Sequence, residues 1–338
     1  MIPEELEKQV IDYLLSQMTQ KDAKRELGRF VVRDHATELY DRVNLWAIRE
    51  DEKSLYEQQL DIEDKFPGLD VKATMTFVKQ DFFREVIEQE KDVPFWQVAT
   101  VVRVLKNAEP VYDPQGLIKA YIDEIDSIRW SPGFITLKRN TALHLVDRSF
   151  KHADDDMLGD AYFWMIKAAE EAICVPLMKR NLFSITTPTL LLDSLEAAPE
   201  IHDFYTGLLG VNRMTPDEAE LALKELDKLA EHLYHKNSGT QREMWILTSY
   251  VSINECERRL QELNGAKGKV DDKTYRRLWE AVIGELWQAI FLIAQTPGGQ
   301  VMLDPWVVAL FWKWMIKGGT GQGLRKIAMR IKKIALTG

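Results

Sequence analysis

The sequence predicts an α+β N-terminal domain with a small mixed sheet, followed by an all-α helical bundle, so that the chain is mostly helical overall. Three observations predict this. Short β-branched and aromatic runs, and one stretch of clear period-two alternation, fall before residue 80. From residue 129 onward no strand pattern remains, and long amphipathic runs follow one another with breaks at Pro and Gly. The 338 residues are enough for two hydrophobic cores, and Pro132 and Gly133 mark the change of character. The expected domains are 1–128 and 129–338, the second ending in a basic tail, 319–338.

Residues 3–27 place Leu6, Val10, Tyr13, Leu14 and Met18 on one helical face, and Gly28 supplies a stop. "RFVV" (29–32) and "VNLWAI" (43–48) read as short buried strands. "SLYEQQLDIEDKF" reads as a helix closed by Pro67 and Gly68. "LDVKATMTFVK" is the clearest strand, with Val71, Ala73, Met75 and Phe77 on one face and Lys72, Thr74 and Thr76 on the other. Helices are expected over 81–90 and 94–107, and "EPVYDPQGLIKAYIDEI" gives an edge strand, an Asp-Pro turn and a helix. The second domain should hold helices over about 135–151, 155–181, 187–196, 199–209, 215–237, 240–263, 271–295 and 303–317. Thr215, Pro216 and Glu218 form a capping-box start signal, and Asp271 is a second N-cap. "GGTGQG" (318–323) reads as a flexible tether before a basic terminal helix.

Hydrophobic residues make up 46% and charged residues 29%, an ordinary globular composition. The two cysteines, Cys174 and Cys256, offer neither a disulfide framework nor zinc spacing and suit a reducing compartment. The acidic, amphipathic N-terminus lacks the layout of a signal peptide, and the most apolar run, "PWVVALFWKWMI", is too short to span a bilayer and carries Lys313. A cytoplasmic protein is therefore expected. Net charge is −9, yet no acidic residue follows Asp304, while Lys313, Lys317, Arg325, Lys326, Arg330, Lys332 and Lys333 do. Two readings of that asymmetry stand: an arm that meets an anionic partner, or a basic last helix lying on the acidic remainder of the chain.

The order of elements is helix, strand, short turn, strand, helix, alternating strand, "VYDPQG" turn and helical domain. It resembles the minimal nucleotidyltransferases of the DNA polymerase β superfamily. "GDAYFWMIKAAEEAICVPLMKRNLF" is similar to the first long helix of their substrate-binding or HEPN-like helical domain. The turn Asp113, Pro114, Gln115, Gly116 is similar to the aspartate-containing turn before it. The resemblance covers about residues 1–240. In that family the first strand ends in Gly-Ser, the second begins with two aspartates one residue apart, and a later strand adds a third carboxylate. Glycine admits a triphosphate close to the backbone, and serine with neighbouring N–H groups holds phosphate oxygens. Alternate carboxylates on a strand share a side and can hold Mg²⁺, which neutralises phosphate and activates the attacking hydroxyl.

Laid on this sequence, Gly-Ser falls on Asp34 and His35, and the two aspartates fall on Arg42 and Asn44. The third strand offers only Asp70, at its start. Arg42 would repel a cation where the metal should sit, and Asp34 would repel a triphosphate. The resemblance thus implies a nucleotidyltransferase-like pseudoenzyme that binds a nucleotide, RNA or a protein partner in an interdomain cleft. One alternative is an active enzyme transferring NMP from an NTP to a small molecule, with Mg²⁺ on Asp34, Asp41 and Asp70. Another is a helical scaffold whose tail (Arg325, Lys326, Arg330, Lys332, Lys333) docks on an anionic partner. Self-association into a homo-oligomer is compatible with each.

Other constellations have plainer readings. Arg148 and His152, four apart, evoke the Arg-then-His pattern of HEPN ribonucleases at a shorter spacing, and read as a surface helix pair. Asp154, Asp155 and Asp156 read as a cap for the helix near Met157 rather than a cation site. His232 and His235 lack a third ligand. Trp279, Trp287, Trp306, Trp312 and Trp314 read mostly as core, although Trp312 and Trp314 do not share a face.

Overall fold

The computed structural model describes residues 4–21, 30–34, 42–49, 56–60, 65–66, 72–79, 82–89, 95–106, 108–113, 115–125, 127–184, 186–237, 241–294 and 321–337. The chain is mostly helical with one small sheet, and it divides into two compact units, Met1–Arg129 and Trp130–Gly338.

The described residues of the first unit form five strands: β1 (Phe30–Asp34), β2 (Arg42–Arg49), β3 (Tyr56–Leu60), β4 (Lys72–Lys79) and β5 (Ala108–Tyr112). They make a mixed sheet of order β3-β4-β2-β1-β5. β1 and β2 are antiparallel, β2 and β4 parallel, and β5 closes one edge beside β1. The register pairs Trp46 with Thr76 and Ile48 with Val78 on one face, and Leu45 with Met75 on the other. Leu45, Ala47 and Met75 pack under α1 (Glu4–Lys21) through Val10, Ile11 and Leu14. The alternation of β4 predicts a polar opposite face, but Thr76 and Val78 are buried. Trp46 of that face lies against Phe82 and Phe83 of α2 (Phe82–Ile87), with ring centroids 6.4 and 5.9 Å away. The sheet is therefore covered on both faces. α3 (Phe95–Lys106) and α4 (Leu117–Ile125) complete the unit.

The expectation of a helix over "SLYEQQLDIEDKF" is corrected: Tyr56–Leu60 is strand β3, antiparallel to β4. The residues favour a helix locally, but β4 would otherwise present an open edge. Pairing along it satisfies both rows of backbone groups, and tertiary context overrides propensity.

The second unit has no strand among its described residues. α5 (Pro132–Asp154) starts at Ser131, whose Oγ accepts the Phe134 N–H at 3.3 Å. α6 (Leu158–Lys179) is buried along nearly its whole length. Among the described residues, α5, α7 (Thr187–Ala197), α8 (Pro199–Leu209) and α12 (Gly321–Thr337) pack on it. α9 (Pro216–Asn237) begins with the expected capping box. Thr215 Oγ1 accepts the Glu218 N–H at 3.3 Å, and Glu218 accepts the Thr215 N–H at 3.1 Å. α10 (Gln241–Ala266) leads to α11 (Asp272–Ala294), which Asp271 caps through the Thr274 N–H at 2.8 Å. Trp287 is sealed in the core and donates to Leu209 O at 2.9 Å. Trp279, part-buried, donates to Val211 O at 2.9 Å.

Two local expectations change. The N-cap of α6 is Met157, with no side-chain capping bond, and α5 runs through Asp154. The acidic run thus ends one helix instead of capping the next. The glycine run 318–323 is not wholly a tether, because Gly321, Gln322 and Gly323 are the first residues of α12. The expected helix over 303–317, with Trp306, Trp312 and Trp314, lies outside the described residues, as does Gly28.

Candidate functional site

β2 and β4 run parallel, so their first residues are neighbours across the ladder. Arg42 pairs with Lys72, and Asn44 with Thr74. β1 is antiparallel to β2 and ends where β2 begins: Arg33 pairs with Leu45, and Asp34 follows, paired with Ala108 of β5. The topology thereby gathers the backbones of Asp34, Arg42, Asn44 and Lys72 at one end of the sheet. Those four are described by backbone alone, and His35, Asp41 and Asp70 lie outside the described residues. Farther along β2, away from this end, the core is aromatic. Phe83 touches both Trp46 and Tyr121 of α4, at 5.9 and 5.6 Å between centroids.

The Asp113 turn has a structural task. Its Oδ2 accepts the Lys119 N–H at 2.9 Å, and its carbonyl accepts the Gly116 N–H at 3.1 Å. Gly116 sits at φ +68, a conformation glycine adopts without strain. Asp113 therefore starts α4.

A pair of Mg²⁺ ions needs clustered carboxylates. Neither β2 (RVNLWAIR) nor β4 (KATMTFVK) contains one, and among the described residues no group of three or more His, Cys, Asp or Glu is placed to hold a metal. The described donor set does not fit a pair of Mg²⁺ ions. What the register juxtaposes instead is two basic residue types, Arg42 and Lys72. Sequence reading set Lys72 with Thr74 and Thr76 on one face of its strand and did not link it to Arg42. The signal that identifies it is the parallel pairing, which a linear pattern does not carry.

The tail residues divide in two. α12 buries Leu324, Ala328, Ile331, Ile334 and Ala335 against its own unit. Arg330 donates to Glu200 O at 3.0 Å and lies 4.7 Å over the Phe204 ring, while Lys332 stands 3.7 Å from Asp147. Arg325, Lys326 and Lys333 are exposed.

The Arg148–His152 pair joins a cluster between α5 and α6. Arg148 caps the Trp164 ring at 3.7 Å, His152 stacks on it at 6.4 Å, and His152 Nδ1 stands 3.9 Å from Asp160. Burial pushes the Asp160 carboxyl up, against the pull of His152 and Arg148. This is an interhelical contact built on a tryptophan. His232 and His235 are exposed, and among the described residues they belong to no group of three or more His, Cys, Asp or Glu placed to hold a metal.

Two buried polar chains were not foreseen. Glu170 accepts from Thr187, from Tyr205 at 2.9 Å and from Lys167, while Gln288 Oε1 accepts the Thr187 N–H at 3.3 Å. His202 Nδ1 lies 3.2 Å from Ser194 Oγ and 3.1 Å from Leu191 O, and its Nε2 lies 3.4 Å from Glu280. The Ser-His-Glu sequence of contacts invites a nucleophilic reading. Ser194 and His202 are 0% and 1% exposed, and Ser194 donates to Leu191 O, so no substrate reaches the hydroxyl. The chain ties α7, α8 and α11 together. Cys174 is likewise inert, since burial pushes its thiol up to about 12, and burial raises Cys256 as well.

No family model matches this chain, and no curated protein matches it. Among solved structures, one that resembles it is a nucleotidyltransferase-like protein from Exiguobacterium sibiricum 255-15, at 10% identity and a TM-score of 0.38. The alignment covers 56% of this chain and 66% of that chain, a little under two thirds of its length. So distant a likeness says nothing about ligand or activity.

Proposed function

We propose that the first unit is a nucleotidyltransferase-like domain that binds a nucleotide at the β1–β2–β4 end of its sheet and does not transfer NMP. The helical unit is its HEPN-like companion. One observation carries the reading: the parallel register that sets Arg42 across from Lys72, with Asn44 next on the same strand and Asp34 ending the neighbouring one. Adjacent strands lie about 4.8 Å apart, so two cations in register form a compact countercharge for a phosphate. Arginine and lysine there take over the charge neutralisation that Mg²⁺ provides elsewhere in the superfamily. Binding should therefore survive EDTA and weaken with salt.

Thermal shift of the full chain with each NTP, with EDTA or Mg²⁺, tests this. A ligand at about 100 times its Kd stabilises the native state by about 2.7 kcal/mol. A shift that persists in EDTA and disappears in Arg42→Ala and Lys72→Ala supports the reading. Absence of any shift, or one that requires Mg²⁺, overturns it. Labelled NMP transfer abolished by Asp41→Ala would instead establish the active enzyme.

A further inference from the structure

The outward face of α12 is not explained by nucleotide binding. Its inward arc is fully used: Leu324, Ala328, Ile331 and Ala335 fall within one stripe and are buried. The opposite stripe carries Lys326, Met329, Lys333 and Leu336, spaced three, four and three residues apart, with Arg325 beside them. Met329 is 65% exposed and Leu336 60%, whereas Leu324, Ile331 and Ile334 of the same helix are buried. Arg330 and Lys332, at the margins, are engaged within the unit. Among the described residues no carboxylate is paired with Arg325, Lys326 or Lys333.

We propose that this face docks the protein peripherally on an anionic phospholipid surface. The composition selects that occupant. Three cations attract phosphate-bearing headgroups, and no acidic residue lies anywhere in α12 to oppose them. Two apolar side chains stand between the cations, where they enter the boundary between headgroups and acyl chains. RNA would use the same cations but has no use for Met329 and Leu336, and it favours aromatic platforms, of which α12 has none. The inner stripe stays on α5 and α6, so the helix lies flat and does not have to leave its unit.

The test is co-sedimentation of the full chain with phosphatidylcholine vesicles, with and without phosphatidylserine, at low and physiological salt. Binding should require phosphatidylserine and fall with salt. The triple variant R325S/K326S/K333S should bind roughly 100-fold more weakly, at about fivefold per cation. M329S/L336S, which leaves the charge intact, should bind roughly 10-fold more weakly. Both change only outward-facing side chains, so the thermal midpoint should be unaltered. The proposal fails if phosphatidylserine vesicles do not bind at low salt, or if M329S/L336S binds like the parent. It also fails if a structured RNA is bound with the same dependence on the three cations while vesicles are not. Because neither variant touches the sheet, a nucleotide-induced shift that persists in both separates this outcome from that of the proposed nucleotide site.

Discussion

Gly284→Ala tests how closely α11 approaches the start of α7. Glycine inside a helix is about 1 kcal/mol less favourable than alanine, so on propensity alone this substitution stabilises. The packing reverses the sign. A Cβ at position 284 would stand 2.9 Å from Pro188 Cα, and 3.2 Å from both Pro188 N and Leu191 Cδ1. The nearest atoms are backbone, and they are held: Thr187 is bonded to Glu170, and its N–H is bonded to Gln288 on α11 itself. Pro188 therefore retreats only by breaking buried hydrogen bonds. Overpacking of this kind costs about 1–3 kcal/mol, and with two held contacts the upper half of that range applies. The net expectation is a loss of about 1–2 kcal/mol. Gly207→Ala, on α8, is the control. Nothing lies within 4 Å of its Cβ, so it should stabilise by about 0.5–1 kcal/mol. Urea unfolding of the full chain, followed by far-UV circular dichroism, reads both midpoints. If Gly284→Ala raises the midpoint as Gly207→Ala does, the α7–α11 approach is wrong.

Thr215→Ala removes the capping box of α9 and should cost about 1 kcal/mol, measured by the same unfolding curve. Burial alone would raise the Glu280 carboxyl, but hydrogen bonds from His202 and Arg276 overcome it and hold the group below its ordinary 4.5. Its contribution is thus fully present above 4.5 and is lost as pH falls through the folded value, so Glu280→Gln should flatten the acid limb of stability against pH. Cys174 and Cys256 should resist a disulfide reagent in the native protein and titrate together in denaturant; fast reaction of either one refutes its burial. Leu45→Ala in the sheet core should cost about 2–5 kcal/mol in thermal or urea unfolding.

What was legible in the sequence was whatever a short window contains. Thr215 and Glu218 stand three apart and found each other, and the alternation of β4 matched its strand. β3 failed because its identity depends on pairing with β4, a strand a dozen residues later, not on its own helix-favouring residues. The candidate site divides the same way. Strand placement of Asn44 followed from the local pattern and that of Arg42 from the family resemblance, whereas the pairing of Arg42 with Lys72 is a property of the ladder. The Ser194–His202–Glu280 chain joins residues 8 and 78 positions apart. Polar residues at such separations carry no periodic signature, and only packing shows them committed to one another.

The distribution of charge bears on which anions this protein meets. Its net charge of −9 repels long polyanions over distances where its basic places are not felt individually. In the helical unit several buried charges are consumed internally: Glu170 by Lys167, Glu280 by Arg276, Glu285 by Arg259. The cationic positions that serve the two proposed sites are few and local, Arg42 with Lys72 at the sheet end and the outward face of α12. Attraction from so few charges reaches about 8 Å at physiological salt, which suits a nucleotide or a headgroup touching the site. A duplex, a long RNA strand or an anionic membrane approaches through the same acidic field before gaining those contacts, so binding of any of them rests on short-range contact at these few residues. A shallow salt slope, equivalent to about two or three phosphates, is therefore the expected signature of both proposed sites. A steep slope would mean that residues outside them carry the binding.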